Sequence, residues 1–154
     1  MRIAQTIRMP RGSTIDSIRR AGAYVLSRFP LFAARIPAGF PSPADDYIDQ
    51  GLDLNELLVR HPAATFFVRV SGESMVGAGI HSGDVLVVDR AEQPRNQSII
   101  IAAVSGELAV KRFIQEKGKI YLASENPDYA PLEVTAGMEF EVWGVVVHVI
   151  HSFK

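Results

Sequence analysis

Short apolar segments separated by turn residues fill the second half of the chain, and this pattern most restricts what the chain can fold into. Six segments between residues 65 and 150 are rich in β-branched and other apolar residues: 65–70, 84–89, 98–104, 108–114, 119–123 and 139–150. Turn dipeptides such as Ser105-Gly106 and Lys117-Gly118 separate them, with no helical pattern between. Many short strands spaced in this way predict a mostly-β domain.

Size and composition limit the alternatives. A chain of 154 residues is long enough for one domain. The absence of cysteine excludes disulfides and thiolate metal sites. No apolar run approaches the roughly 18 residues of a membrane-spanning helix, and Arg28 and Arg35 interrupt the early apolar run that a secretory signal would need. The expectation is a soluble cytoplasmic protein.

The segment of residues 30–43 contains four prolines together with Gly39. That density argues against a helix or a central strand and predicts an extended, accessible linker. Further on, residues 53–60 predict a short helix in which Asp53 is the cap and Glu56 completes a capping box.

Residues 1–28 carry little pattern. A short helix capped by Ser13 or Thr14, with Ile15, Ile18 and Val25 on its apolar side, is one prediction for this arm, and disorder is the other. Gly22 falls where the apolar side needs another anchor, and a glycine inside a helix costs about 1 kcal/mol relative to alanine.

Charge is unevenly distributed. Residues 1–38 carry seven arginines and one acidic residue, a net charge of +6, whereas residues 39–154 have a net charge of −7. The simpler explanation is that the arm associates with the acidic body; the alternative is an arm that contacts nucleic acid, which arginines alone support weakly.

A turn after the first predicted strand offers a candidate nucleophile. The sequence Ser71-Gly72-Glu73-Ser74-Met75 directly follows Val70, and Gly72 permits the positive φ of a tight turn. Such a turn can lift Ser74 out of the sheet and direct backbone N–H groups toward one point, as in an oxyanion hole. Taken alone, the motif is more often just an ordinary turn.

Lys111 is the candidate base. Alternation in a strand places Ala109, Lys111 and Phe113 on one face, where an amine among apolar groups loses hydration and its pKa falls. A neutral amine can accept a proton from a serine hydroxyl. The competing interpretation is a lysine that extends to solvent. Pattern alone leaves open whether Lys111 or Arg112 points inward.

Histidines provide weaker alternatives. His81 lies in the loop near Ser74 and is a distant second candidate for the base, while His61 is next to Pro62. His148 and His151 are three residues apart in a predicted strand and should face opposite sides, which opposes a shared metal site. We expect no metal and no cofactor, because the sequence has neither a zinc-ligand spacing nor a Walker-type phosphate loop.

Several motifs in one order carry a resemblance to a known family. They are Ser71-Gly72-Glu73-Ser74-Met75, Val110-Lys111-Arg112, and the segments 38–44, 53–55, 83–89, 126–129 and 142–150. The chain from about Phe29 onward resembles the LexA-like self-cleaving serine peptidases, in particular their UmuD-like branch of polymerase accessory subunits. The resemblance implies a fold of curved β-sheets behind an extended or disordered N-terminal arm.

The resemblance also implies roles for individual residues. Ser74 matches the nucleophile and Lys111 the general base. Ala38-Gly39 matches the bond that is cut, and the backbone N–H groups of Ser74 and Glu73 match the oxyanion hole. The chain would then divide into an arm, residues 1–38, and a peptidase and dimerisation domain, residues 39–154. Pro37, just before the cut, is a departure that we expect to be tolerated, because proline favours an extended residue before it.

The partners implied by the resemblance belong to the response to DNA damage. A RecA filament on single-stranded DNA would stimulate the cut, and the trimmed chain would form a homodimer that joins a UmuC-like polymerase subunit. No direct sequence-specific DNA binding and no membrane are expected. The alternatives are a LexA-type self-cleaving regulator, a signal peptidase, and a β module without catalysis.

Overall fold

The computed structural model describes residues 14–20, 28–32, 38–39 and 48–154; for 14–20, 28–32 and 48–50 it describes the backbone alone. The strands in chain order are β1 (Thr14–Arg20), β2 (Arg28–Phe32), β3 (Ile48–Asp53), β4 (Thr65–Ser71), β5 (Val85–Asp89), β6 (Ile99–Val104), β7 (Glu107–Glu116), β8 (Lys119–Ala123), β9 (Leu132–Val134) and β10 (Phe140–Ile150). One helix, α1 (Leu54–Leu58), lies between β3 and β4, and 3₁₀ turns occupy Pro62–Ala64 and Val76–Ala78.

Eight of these strands form one antiparallel sheet. Its order is β1-β4-β5-β10-β6-β7-β8-β9, and β2 and β3 form a separate two-stranded ladder. The prediction of a mostly-β domain is confirmed. Among the described residues, no helix is long and apolar enough to cross a membrane.

The longest strand, β10, joins the two halves of the sheet. Its first part, Phe140 to Val145, pairs with β6, and its second part, Val145 to Ile150, pairs with β5. Each ladder contains an irregularity, between Val142 and Gly144 and between Val146 and His148. Bulges bend a strand and increase its twist, so the sheet curves at its centre, and β1 at one edge approaches β7 near the other.

Two apolar clusters fill the two faces of this curved sheet. The first contains Val68, Val70, Met75, Ile80, Leu86, Val88, Ile101 and Val110. The second contains Ile100, Ala102, Phe113, Leu122 and Val145. Alternating residues of β6 and β7 enter opposite clusters, as the period of two in a strand requires. The central strands are therefore buried on both sides.

Tight turns set the register of the later strands. Ser105 and Gly106 connect β6 to β7, and Lys117 and Gly118 connect β7 to β8. All four residues have positive φ, between 49° and 80°. Two-residue turns with both central residues at positive φ match the twist of antiparallel strands, so each turn fixes which residues face each other.

The six predicted strands are observed with ends that differ by only one or two residues, and the predicted helix is observed in shorter form. Asp53 caps α1, its carboxylate accepting a hydrogen bond from the backbone N–H of Asn55 at 2.8 Å. The predicted helix ran to residue 60, but α1 ends at Leu58 and Val59 is already extended.

The helix predicted for the N-terminal arm is wrong where it can be compared. Thr14–Arg20 is a strand that pairs with β4, with Ile15 opposite Val70 and Arg20 opposite Phe66. A sheet edge supplies backbone hydrogen bonds along the whole segment, which outweighs a weak helical pattern. Val25 and most of the predicted linker, including Pro37, lie outside the described residues.

Pro30 is found in β2, part of a two-stranded ladder in which both strands are edges. This agrees with its predicted exclusion from a central strand, since proline lacks the N–H that a central ladder needs. The partner strand β3 and the short β9 were not predicted, because neither has an apolar alternation of its own.

Gly144 provides a test of the packing at the centre of the sheet. It is buried, and a Cβ built on it would lie 2.5 Å from Cγ1 of the fully buried Val88. We expect Gly144→Ala to lower the free energy of unfolding by about 1–3 kcal/mol, because the added methyl overpacks the core. Urea denaturation measures this. Gly39→Ala, whose Cβ would meet no described atom within 4 Å, is the control and should leave the midpoint unchanged.

Candidate active site

The turn that carries Ser74 leaves the end of β4 and packs inward. Gly72 has a φ of 96°, which confirms the tight turn predicted from the sequence. Ser74 has no exposed surface, and Met75 beside it inserts into the first apolar cluster. Insertion of Met75 fixes the turn against the core.

A second segment, residues 124–126, holds this turn from the far half of the sheet. The N–H of Glu125 donates to the carbonyl oxygen of Ser74 at 2.8 Å, and the N–H of Gly77 donates to the carbonyl oxygen of Glu125 at 2.8 Å. The side-chain amide of Asn126 donates to the carbonyl oxygen of Glu73 at 2.9 Å. These three hydrogen bonds fix the backbone on both sides of Ser74.

Lys111 lies in β7 opposite Ile100 of β6. Directly paired residues share a face of the sheet, so the lysine lies on the side of the second apolar cluster, as predicted from alternation with Ala109 and Phe113. Its Nζ donates a hydrogen bond to the Ser124 hydroxyl at 2.7 Å. Burial lowers the pKa of the Lys111 amine below its ordinary value of 10.5, because the charged form loses hydration.

Arg112 points to the other face and resolves the ambiguity left by the sequence pattern. Its guanidinium forms an ion pair with the Glu125 carboxylate and also donates to the carbonyl oxygen of Gln97 at 2.6 Å. The arginine is paired with a carboxylate, whereas the lysine has a hydroxyl partner and a lowered pKa. Of these two residues, Lys111 is therefore the one suited to accept a proton.

The candidate nucleophile and the candidate base are therefore connected through two consecutive residues. Lys111 donates a hydrogen bond to Ser124, and the backbone N–H of Glu125 donates to Ser74. The Cα atoms of Ser124 and Glu125 are about 3.8 Å apart across a trans peptide. Neither Ser124 nor Glu125 was singled out from the sequence. The register could have indicated Ser124: the turn at Lys117-Gly118 places Arg112 opposite Ala123, and one step further places Lys111 opposite Ser124.

Glu73 and Ser74 supply the backbone N–H groups predicted for an oxyanion hole. The carbonyl of Glu73 accepts from Asn126 and from the N–H of Val76. In a trans peptide the next N–H points away from that carbonyl, so the N–H of Ser74 is directed to the opposite side of the chain. Their role as oxyanion donors stays a prediction.

Ala38 and Gly39, the predicted site of cleavage, form an exposed bend. A Cβ on Gly39 would meet no atom within 4 Å from the described part of the chain. Both residues of this bond are therefore exposed, with open space beside Gly39 among the described residues.

His81, the second candidate for the base, is exposed and contacts Asp84 and His151. Its backbone N–H donates to Oδ2 of the buried Asp84 at 2.8 Å, and its imidazole ring lies 5.2 Å from the ring of His151. His151 itself follows the end of β10 and pairs with Asp84. These contacts describe a histidine pair that holds the loop before β5.

Three residues that could hold a metal ion lie elsewhere. The ligand atoms of His61, Asp89 and Glu92 are all within 4.8 Å of one another. Nδ1 of His61 and Oδ2 of Asp89 are hydrogen-bonded at 2.6 Å, which gives the buried carboxylate a polar partner. Asp89 is opposite Thr65, at the start of β4, whereas the Ser74 turn follows its end, about 20 Å away along the strand.

A cavity of about 610 Å³ lies between α1 and β10. Glu56, Arg60, Glu92, Arg95 and His148 are among its lining residues, whereas Ser74 and Lys111 are not. This cavity is therefore separate from the candidate catalytic residues.

Comparison with known proteins gives the family to which this chain belongs. The family described as Peptidase S24-like matches residues 30–147, and the chain belongs to this family. The resemblance to LexA-like serine peptidases is thereby confirmed.

Individual relatives are similar over most of their length. The chain is 51% identical to Protein SamA of Salmonella typhimurium, over 84% of this chain and 90% of that protein. It is 50% identical to Protein ImpA of Escherichia coli, over 81% and 85%, and 43% identical to Protein MucA of Escherichia coli, over 87% and 92%.

The lowered pKa of Lys111 can be measured directly. In the Ser74→Ala protein, which we expect to stay whole, the side-chain carbons of lysine can be followed by NMR as the pH rises. Lys111 should titrate below 10.5 because its ammonium is desolvated. Lys119 is the internal control: its ion pair with Glu133 raises its pKa, so it should titrate above 10.5. A Lys111 midpoint at or above that of Lys119 would contradict the described environment.

Proposed function

We propose that this chain is a self-cleaving serine peptidase in which Ser74 is the nucleophile and Lys111 the general base. One observation supports this most strongly. A half-buried amine with a lowered pKa is hydrogen-bonded to Ser124, next to the residue whose backbone holds Ser74. Membership of the Peptidase S24-like family supports the same chemistry.

The reaction is an acyl transfer within the molecule. Neutral Lys111 takes the proton of the Ser74 hydroxyl, whose oxygen attacks the carbonyl carbon of Ala38. The backbone N–H groups of Ser74 and Glu73 hold the oxyanion. The bond to Gly39 breaks, its nitrogen takes the proton from Lys111, and the Ala38 acyl group stays on Ser74. Water activated by the amine then hydrolyses the ester and releases residues 1–38.

Because the linker is covalently attached to the peptidase domain, the proposed reaction does not need a high affinity for its substrate. The cut bond and the nucleophile belong to one chain, so the local concentration of substrate is high without a binding pocket. In the described form Ser74 is covered while Ala38 and Gly39 are exposed. Cleavage therefore requires a second arrangement in which Ser74 is uncovered and the linker lies across it. A RecA filament on single-stranded DNA acts by favouring that arrangement.

Cleavage changes the charge of the molecule. The full chain has a net charge of −1, whereas residues 39–154 have a net charge of −7. We propose that the trimmed form is a cytoplasmic homodimer that joins a UmuC-like polymerase subunit in error-prone synthesis past DNA damage. Loss of the basic arm alters electrostatic complementarity to partners and so contributes to this change of partner.

A LexA-type regulator remains the alternative that shares the same self-cleavage. It would need a helix-turn-helix before the cut. The described residues in that part, 14–20 and 28–32, are strands, and this favours the accessory-subunit function.

The central experiment measures cleavage by mass spectrometry after incubation of the purified full chain at increasing pH. We expect a fragment that begins at Gly39, with a rate that rises as Lys111 loses its proton. Ser74→Ala should abolish the fragment, and Lys111→Met should reduce the rate by about 10²–10⁴-fold, because a general base contributes that much.

Matched controls separate chemistry from general damage. Ser98→Ala and Lys119→Met remove the same groups at positions with other partners, Arg95 and Glu133, and should cleave like wild type. A rate that stays flat from neutral to strongly alkaline pH would contradict the lysine base. Cleavage that survives in Ser74→Ala would contradict the nucleophile.

A further inference from the structure

The amine of Lys111 has a hydroxyl partner that the mechanism above does not use. Its Nζ lies 2.7 Å from Oγ of Ser124, which immediately follows β8. A neutral amine has two N–H donors and one lone pair. Donation of one N–H to a fixed acceptor restricts rotation about the Cε–Nζ bond and so limits the directions in which the lone pair can point.

Ser124 is itself fixed relative to Ser74. The next residue, Glu125, bonds the backbone of both Ser74 and Gly77. Gly77 approaches so closely that a Cβ there would lie 2.6 Å from the carbonyl oxygen of Glu125. The acceptor of the lysine and the backbone of the nucleophile are thus parts of one hydrogen-bonded unit.

Strand β7 holds this unit with two consecutive side chains. Lys111 bonds Ser124 on one face, and Arg112 pairs with Glu125 on the other. Arg112 and Glu125 thus neutralise each other. The hydroxyl of Ser124 is the hydrogen-bond acceptor described for the amine, so it fixes the position of the amine and stabilises its charged form.

We propose that Ser124 is a positioning residue that holds the Lys111 amine in line with the Ser74 hydroxyl. This inference rests on the proposed Ser74–Lys111 chemistry. It predicts two separate effects when the hydroxyl is removed. The unrestrained amine meets the nucleophile less often in the reactive orientation, and the ammonium loses an acceptor that stabilises it, so the Lys111 pKa falls further.

The test compares the pH profiles of self-cleavage of wild type, Ser124→Ala, Ser124→Thr and the control Ser98→Ala, from about pH 7 to about pH 11. For Ser124→Ala we expect the rate at the alkaline plateau to fall by about 10–100-fold and the midpoint of the profile to move to lower pH. Threonine keeps the hydroxyl and should restore both, and Ser98→Ala should follow wild type. Thermal melting shows that each variant is folded.

The outcomes distinguish the inference from the proposed function. If wild type cleaves and Ser124→Ala has the same profile, Ser124 does not position the base, while the Ser74–Lys111 chemistry stands. A lower plateau with an unmoved midpoint that threonine does not restore indicates a structural role alone and also overturns the inference. A folded wild-type chain that stays whole at every pH refutes the proposed function and the inference together.

Discussion

The short hydrogen bonds between the Ser74 turn and residues 124–126 are the constraint on which the site depends, and they depend in turn on the curvature of the sheet. The turn leaves β4, whereas residues 124–126 leave β8, five strand steps away in the sheet order. In a flat sheet those strands would be about 24 Å apart. The two irregularities in β10 bend the sheet at its centre, and the loop after β4 crosses the remaining distance with Met75 packed in the core.

The parts of the fold that could be predicted from the sequence are those encoded locally. Strands β4 to β8 and β10 have apolar segments of their own, and Ser105-Gly106 and Lys117-Gly118 have the turn chemistry that sets their register. Strand β1 could not be predicted in this way, because Thr14–Arg20 becomes a strand through pairing with the edge of β4. Its local pattern permits a weak helix, and the hydrogen bonds of a sheet edge override it.

The site shows the same division between local and distant causes. Ser74 follows a strand and a glycine that permits the turn, so a short motif made it a candidate, and the resemblance to a family supplied its predicted role as nucleophile. The direction of Lys111 could not be derived from its neighbours, because β7 has apolar residues on both faces and the two sides look alike. The bonding partners determine which way the two side chains point. Arg112 pairs with a carboxylate, and Lys111 donates to a hydroxyl on the apolar side. Glu125 contacts Ser74 only because the sheet curves, and no local pattern encodes that contact.

The burial of Ser74, the proposed nucleophile, and the exposure of Ala38-Gly39, the proposed cleavage site, are consistent with regulated self-cleavage. If Ser74 were open to solvent and Lys111 were permanently neutral beside it, the chain would cut itself as soon as it folded. Met75 and the bonds to Glu125 hold the turn in place, and Ala38 and Gly39 are exposed. In the proposed mechanism the rate is set by how often the linker occupies the site, and a partner that binds this arrangement more tightly raises its population without taking part in the chemistry. Residues 124–126 thus contact both Lys111 and the Ser74 turn, so one short segment joins the proposed base to the proposed nucleophile.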